Sequence, residues 1–151
     1  MLSNHTDNYL HYILQDMAIT NIPEMLIPCK MLKLNGSINN IKLELVIDTG
    51  ANISVIFNNT IERLNIMELV DRTVQSELCG IGKEMSIGKL WFTELEINNN
   101  NFSTSLEVSP NKIPNIDIIL GINFLRSNNA NIDFKTNTLK LKDINIPFDL
   151  D

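Results

Sequence analysis

Leu43-Glu44-Leu45-Val46-Ile47-Asp48-Thr49-Gly50-Ala51-Asn52-Ile53-Ser54-Val55-Ile56-Phe57 reads as a strand, a tight loop and a second strand. The runs 43–47 and 53–57 are apolar and short, as buried strands are. Between them sit a carboxylate, a hydroxyl and a glycine. The strand would hold Asp48 rigidly, and Gly50 would let the chain turn sharply and a second backbone come close. Thr49 offers a hydroxyl able to tie two such loops together. Asp and Gly are also ordinary turn residues, so the tetrapeptide Asp48-Thr49-Gly50-Ala51 taken alone fits a plain strand-end turn equally well. A carboxylate presented this way suits chemistry in which two carboxylates share one proton. Asp-Thr-Gly occurs once in 151 residues, so the second carboxylate would come from a second copy of the chain.

Length and composition narrow the field. One domain with a real core is expected from 151 residues of which 44% are apolar. The net charge of −6 and the absence of a basic patch argue against a nucleic-acid partner. Apolar runs are too short for a membrane-spanning helix, so no membrane partner is expected. Met1-Leu2-Ser3-Asn4-His5 lacks the basic start of a secretory leader. The two cysteines, Cys29 and Cys79, suit a reducing compartment, cytoplasmic with the nucleus also open to it, and their spacing makes no metal site. No cofactor is implied. The abundance of Asn and Ile points to an AT-rich coding sequence.

Along the chain, Leu10, Ile13, Leu14, Met17 and Ala18 recur at helical spacing, which predicts a helix over 4–18. Pro23 and Pro28 bound a connector, dividing the chain into 1–27 and a β-rich domain over 28–151. Strands are expected at 29–38 and 41–47 across an Asn39-Asn40 turn, then at 53–57. A helical stretch at 58–64, capped by Asn58 or Asn59, follows. Residues 78–90 carry Gly80, Gly82 and Gly88 and read as a mobile hairpin. Another hairpin, 90–97 with 102–108, turns across Asn98 to Asn101. Ile116 to Gly121 reads as a buried strand, 122–127 as a short helix, and 131–134 with 138–141 as a last hairpin. Many short, evenly spaced strands indicate a small closed barrel or a sandwich.

Asp48-Thr49-Gly50-Ala51, the Gly-rich hairpin, and Ile118-Ile119-Leu120-Gly121 before a short helix, in that order, resemble the retropepsins, the dimeric aspartic proteases of retroviruses. Within that superfamily the chain is most similar to the retropepsin-like domain of the Ddi (DNA-damage-inducible) ubiquitin-shuttle proteins. Asn65 to Arg72, the spacing of Gly80-Ile81-Gly82 and Ile87-Gly88, Leu120 to Leu125, Ile132-Asp133, and the helix before Pro23-Glu24-Met25 carry that likeness. There are departures. Ddi proteins usually have Ser at the place of Thr49 and Asp at that of Asn123. Retroviral enzymes pair an Asp with an Arg where this chain has Asn52 and Ile122.

The resemblance implies a mainly β fold: a retropepsin-like closed barrel of short strands with one short C-terminal helix, preceded by an N-terminal helix. It implies an aspartic endopeptidase acting as a homodimer, with Asp48 of each copy activating water. Polypeptides are the implied substrates, ubiquitinated ones among them. Gly80, Ile81, Gly82 and Met85 would belong to a flap over the substrate, and Ile119, Leu120 and Gly121 to a second loop beside Asp48. Ile81, Met85 and Ile119 are candidates for lining apolar subsites, or are simply core. Asp117 and Asp133 are expected to be structural or solvated. Other readings share the pattern: a dimerisation or peptide-binding module without cleavage, or a retrotransposon protease.

Overall fold

The computed structural model describes residues 3–27, 30–80 and 82–149. They fall into two compact units that divide between Lys30 and Met31. The first holds helix α1 (Ser3–Asn21) and a short 3-10 turn at Pro23–Leu26. Helix α1 is longer than its apolar stripe predicts, because Ile19 to Asn21 continue it without a breaker before Pro23. Leu10, Ile13, Leu14 and Met17 of the stripe are exposed.

The second unit is β-rich. Strands β1 (Lys33–Ile38), β2 (Ile41–Ile47) and β3 (Val55–Phe57) lead into helix α2 (Asn58–Leu64). A two-stranded hairpin, β4 (Glu77–Gly80) with β5 (Gly82–Met85), precedes the long pair β6 (Gly88–Ile97) and β7 (Asn100–Ser109). Then come β8 (Ile118–Leu120), helix α3 (Ile122–Ser127), β9 (Asn131–Asp133), β10 (Thr138–Leu141) and β11 (Ile144–Pro147). Six strands close a barrel in the order β1-β2-β8-β3-β7-β6, while β11-β10-β9 form a separate sheet. This is the mainly β, closed-barrel architecture the sequence predicts, a barrel and not a sandwich.

Three local expectations are corrected. The turn after β6 uses only Asn98 and Asn99, both with positive φ, and β7 starts at Asn100. Two left-handed residues suffice for a tight hairpin, so the other two asparagines are free to join the strand. Helix α2 starts after Phe57, with no side-chain cap from Asn58 or Asn59. Strand β11 was not anticipated. Its signal is the alternation of Ile144 and Ile146 after a turn that places Lys142, at φ 54°, in a conformation unusual for lysine.

The core explains the placement of Asp48. On β2, Leu43, Leu45 and Ile47 point into the barrel, where Ile56, Leu106, Ile118 and Leu120 are fully buried. Val46, on the opposite face, packs with Phe57, Ile116 and Ile119 in a second small cluster. Both faces of the last turn of β2 are therefore covered, which is why the sequence there is a continuous apolar run. Phe102 and Phe124 meet edge to face with ring centroids 6.1 Å apart, seating α3 on the barrel.

Candidate active site

Strand β8 lies between β2 and β3, parallel to the first and antiparallel to the second. Ile47 is in register with Leu120, so the loops that follow β2 and β8 emerge side by side. They are stitched by backbone hydrogen bonds. Asp48 N donates to Leu120 O at 3.0 Å, Ile122 N to Ala51 O at 2.7 Å, and Asn123 N to Asn52 O at 3.2 Å. The fit leaves no room for a side chain at Gly121: a Cβ there would lie 2.6 Å from both Ala51 O and Ile53 O. The close backbone approach expected at Gly50 thus occurs at Gly121. At Gly50 an added Cβ would meet only Asp48 Oδ1, at 3.1 Å.

The Asp48 carboxylate is exposed at the end of its buried strand. Its Oδ1 accepts the Gly50 N–H at 2.8 Å, and the Ala51 N–H closes the turn on Asp48 O at 3.2 Å. The side chain is thereby held by its own loop and remains open to solvent. Thr49 is also exposed and walls a hollow of about 440 Å³ with Ile122, Leu125, Arg126, Asn129, Ala130 and Ile132. Strand β9, the edge of its sheet, contributes Ile132 to that hollow. Of the second-loop residues, Leu120 and Gly121 are buried and Ile119 is half-buried in the small cluster.

Sequence reasoning missed a brace between the loops. Ser54 is 1% exposed, its Oγ accepts the Gly121 N–H at 3.0 Å, and its hydroxyl donates to Asn123 Oδ1 at 2.8 Å. The only available signal was a lone hydroxyl within an otherwise apolar run, six residues after the aspartate. The Asn123 amide oxygen accepts from Ser54 here as a carboxylate oxygen at this place would. With Asn52 and Ile122 in place of an ion pair, this neutral bond and the backbone stitches hold the two loops together.

Asp117 has the structural role expected of it. It immediately precedes β8, and its carboxylate accepts Glu44 N at 2.8 Å, Thr60 Oγ1 at 2.8 Å and Arg63 Nη2 at 2.5 Å. Burial works to raise its pKa, but the Glu44 amide, Arg63 and Thr60 outweigh it and hold the carboxyl below its ordinary range. Asp133 caps the turn into β10 by accepting the Lys135 and Thr136 amides, which lower its pKa likewise.

The hairpin of β4 and β5 pairs Gly80 with Gly82 at its tip and Glu77 with Met85 at its root. Ile81, one of the expected flap residues, lies outside the described residues. Met85 is 51% exposed, so it is not a core residue. Among the described residues, no helix is long and apolar enough to cross a membrane.

Residues 23–133 match the aspartyl protease family. The chain belongs to that family. It is 31% identical over 89% of its length to protein DDI1 homolog 1 of Caenorhabditis elegans, and 30% identical over 82% to the human protein of that name. It spans about a third of the length of each, 33% and 31%. The crystal structure of the retroviral protease-like domain of Ddi1 from Leishmania major superposes with a TM-score of 0.71 at 27% identity. That match covers 80% of this chain and 95% of the other. The chain is thus a retropepsin-like aspartyl protease domain of the Ddi family.

Proposed function

We propose that this domain is a homodimeric aspartic endopeptidase with Asp48 of each copy as its catalytic residue. The observation that carries the reading is an exposed carboxylate at the tip of a strand buried on both faces, held against a second loop by backbone hydrogen bonds. Exposed Thr49 beside an open hollow and an edge strand supports the second copy, whose own Thr49 loop would pack there. Two carboxylates brought together at the twofold axis cannot both ionise, so one keeps its proton. The ionised one takes a proton from water as it attacks the scissile carbonyl, and the protonated one donates to the carbonyl oxygen. The tetrahedral intermediate then collapses with proton transfer to the leaving nitrogen. No covalent intermediate with the protein forms.

Substrate would bind as an extended strand along the Gly50 and Ala51 backbone. The hairpin of Gly80, Gly82 and Met85 would cover it as a flap, with Met85 and Ile119 offering apolar surface. The Ddi relationship makes ubiquitin-pathway proteins in the cytoplasm or nucleus the substrate pool to try first. The test is cleavage of unfolded and of ubiquitin-loaded proteins by the wild type and by Asp48→Asn. Equal cleavage by both would move the site elsewhere. Sedimentation that shows only monomer wherever activity is found would remove the shared dyad.

A further inference from the structure

The last residues of β7 are buried on both faces, although only one face meets the barrel core. Leu106 and Val108 supply the core side and are fully buried. Glu107 and Ser109 alternate with them, on the other face, and are still only 5% and 3% exposed. Both of these polar groups, and Asn111 two positions on, spend hydrogen bonds on the β4–β5 hairpin or its root. The Ser76 hydroxyl donates to Glu107 Oε1 at 3.1 Å, with Lys89 Nζ 3.7 Å from the same oxygen. Further out, Glu84 Oε2 on β5 accepts Asn111 Nδ2 at 2.8 Å and Ser109 Oγ at 3.4 Å.

We propose that Glu107, Ser109 and Asn111 form a polar track that positions the flap, with Ser76–Glu107 as its hinge and Glu84–Asn111 as a releasable latch. This rests on reading the hairpin as the flap. The two contacts differ in kind. At the hinge, Ser76 N donates to Ser86 Oγ at 2.9 Å and Ser86 N to Ser76 O at 2.8 Å, closing the root, and Ser86 is 1% exposed. At the latch, Asn111 is exposed and Glu84 half-buried, so water reaches the contact from the Asn111 side. A charge-assisted bond in that setting holds the hairpin and still breaks readily. Glu84 and Asn111 are therefore positioning residues, and the flap has a parked state defined by side chains.

Amide hydrogen exchange on the full chain reads the latch whether or not the chain cleaves anything. E84A and N111A should each speed exchange in 77–80 and 82–85 by about threefold to tenfold, with β6 and β7 unchanged as an internal reference. The double variant should add little to either single one. E84Q, whose amide oxygen still accepts from Asn111, should stay within about twofold of wild type. Unchanged hairpin exchange in both E84A and N111A overturns the latch, as does acceleration in E84Q equal to that in E84A. Faster exchange in a chain that cleaves nothing keeps the latch and removes the protease reading. Cleavage that Asp48→Asn abolishes, without faster exchange in E84A and N111A, does the reverse.

Discussion

The Asp48 loop and the 77–85 hairpin are held by opposite means. The loop is fixed by backbone hydrogen bonds, a buried serine and a glycine with no room for a methyl group. Among the described residues beyond its root, the hairpin is tied to β7 and its following loop through side chains, with Glu84 accepting from Asn111 and Ser109. Adjacent backbone stitches set around buried Ser54 and Gly121 break together, whereas a solvated side-chain contact breaks alone. One region is therefore fixed through its backbone and the other through side chains.

The largest effect that tests this contrast is chemical. Asp48→Asn should lower hydrolysis by roughly a thousandfold or more, because it removes the general base, and should leave the thermal midpoint within a few degrees. A kinetic assay beside a thermal melt separates the two. Gly121→Ala attacks the rigid side sterically. Forcing a methyl group against Ala51 O and Ile53 O should cost about 1–3 kcal/mol, read by urea denaturation, and should lower activity by displacing the Asp48 loop. A fully stable Gly121→Ala variant would mean that the two loops are not in close contact.

Asp117→Ala probes the other end of β8. It leaves the Glu44 amide and the fully buried Thr60 hydroxyl without their acceptor, at about 2 kcal/mol. The Arg63 pair adds little, since Arg63 is 46% exposed. The same carboxyl gives a pH signature. Its native pKa is depressed, so its stabilisation is complete above the ordinary value of 3.8 and is lost as pH falls below that value through the lower native one. Acid denaturation of Asp117→Ala should be correspondingly shallower than that of the wild type. Ser54→Ala should have the smallest effect of the series, about 1 kcal/mol, because the backbone stitches remain. A larger drop in activity than in stability would show that the brace aims the loop.

Much of this was legible in the sequence because it depended on local patterns. The apolar run into Asp48 is continuous because β2 is covered on both faces, and the Ile118–Gly121 motif reads clearly for the same reason. The extent of helix α2, Asn58 to Leu64, was legible, but its expected asparagine cap was not borne out. The Ser54–Asn123 bond and the Glu84–Asn111 latch were not legible. Each joins residues far apart in the chain, 69 positions for the first and 27 for the second, and neither residue type is unusual at its place. Strand β11 was missed because its turn rests on Lys142, which carries no turn signature. Within one copy the close backbone approach falls at Gly121 and not at Gly50, because sequence shows which residue lacks a side chain but not which backbone lies over it.

The turns of this chain have one more consequence. Among the described residues that are not glycine, eight of the nine with positive φ are asparagines, and the ninth is Lys142. Gly36, Gly50, Gly88 and Gly121 all lie outside that left-handed range. At Gly36, Gly88 and Gly121 a Cβ would come within 3 Å of a neighbour. Glycine ordinarily serves both torsion and clearance; at these positions asparagine supplies the torsion and glycine the clearance. Among the described residues, three of these four glycines mark tight backbone approaches and the asparagines mark most of the left-handed reversals.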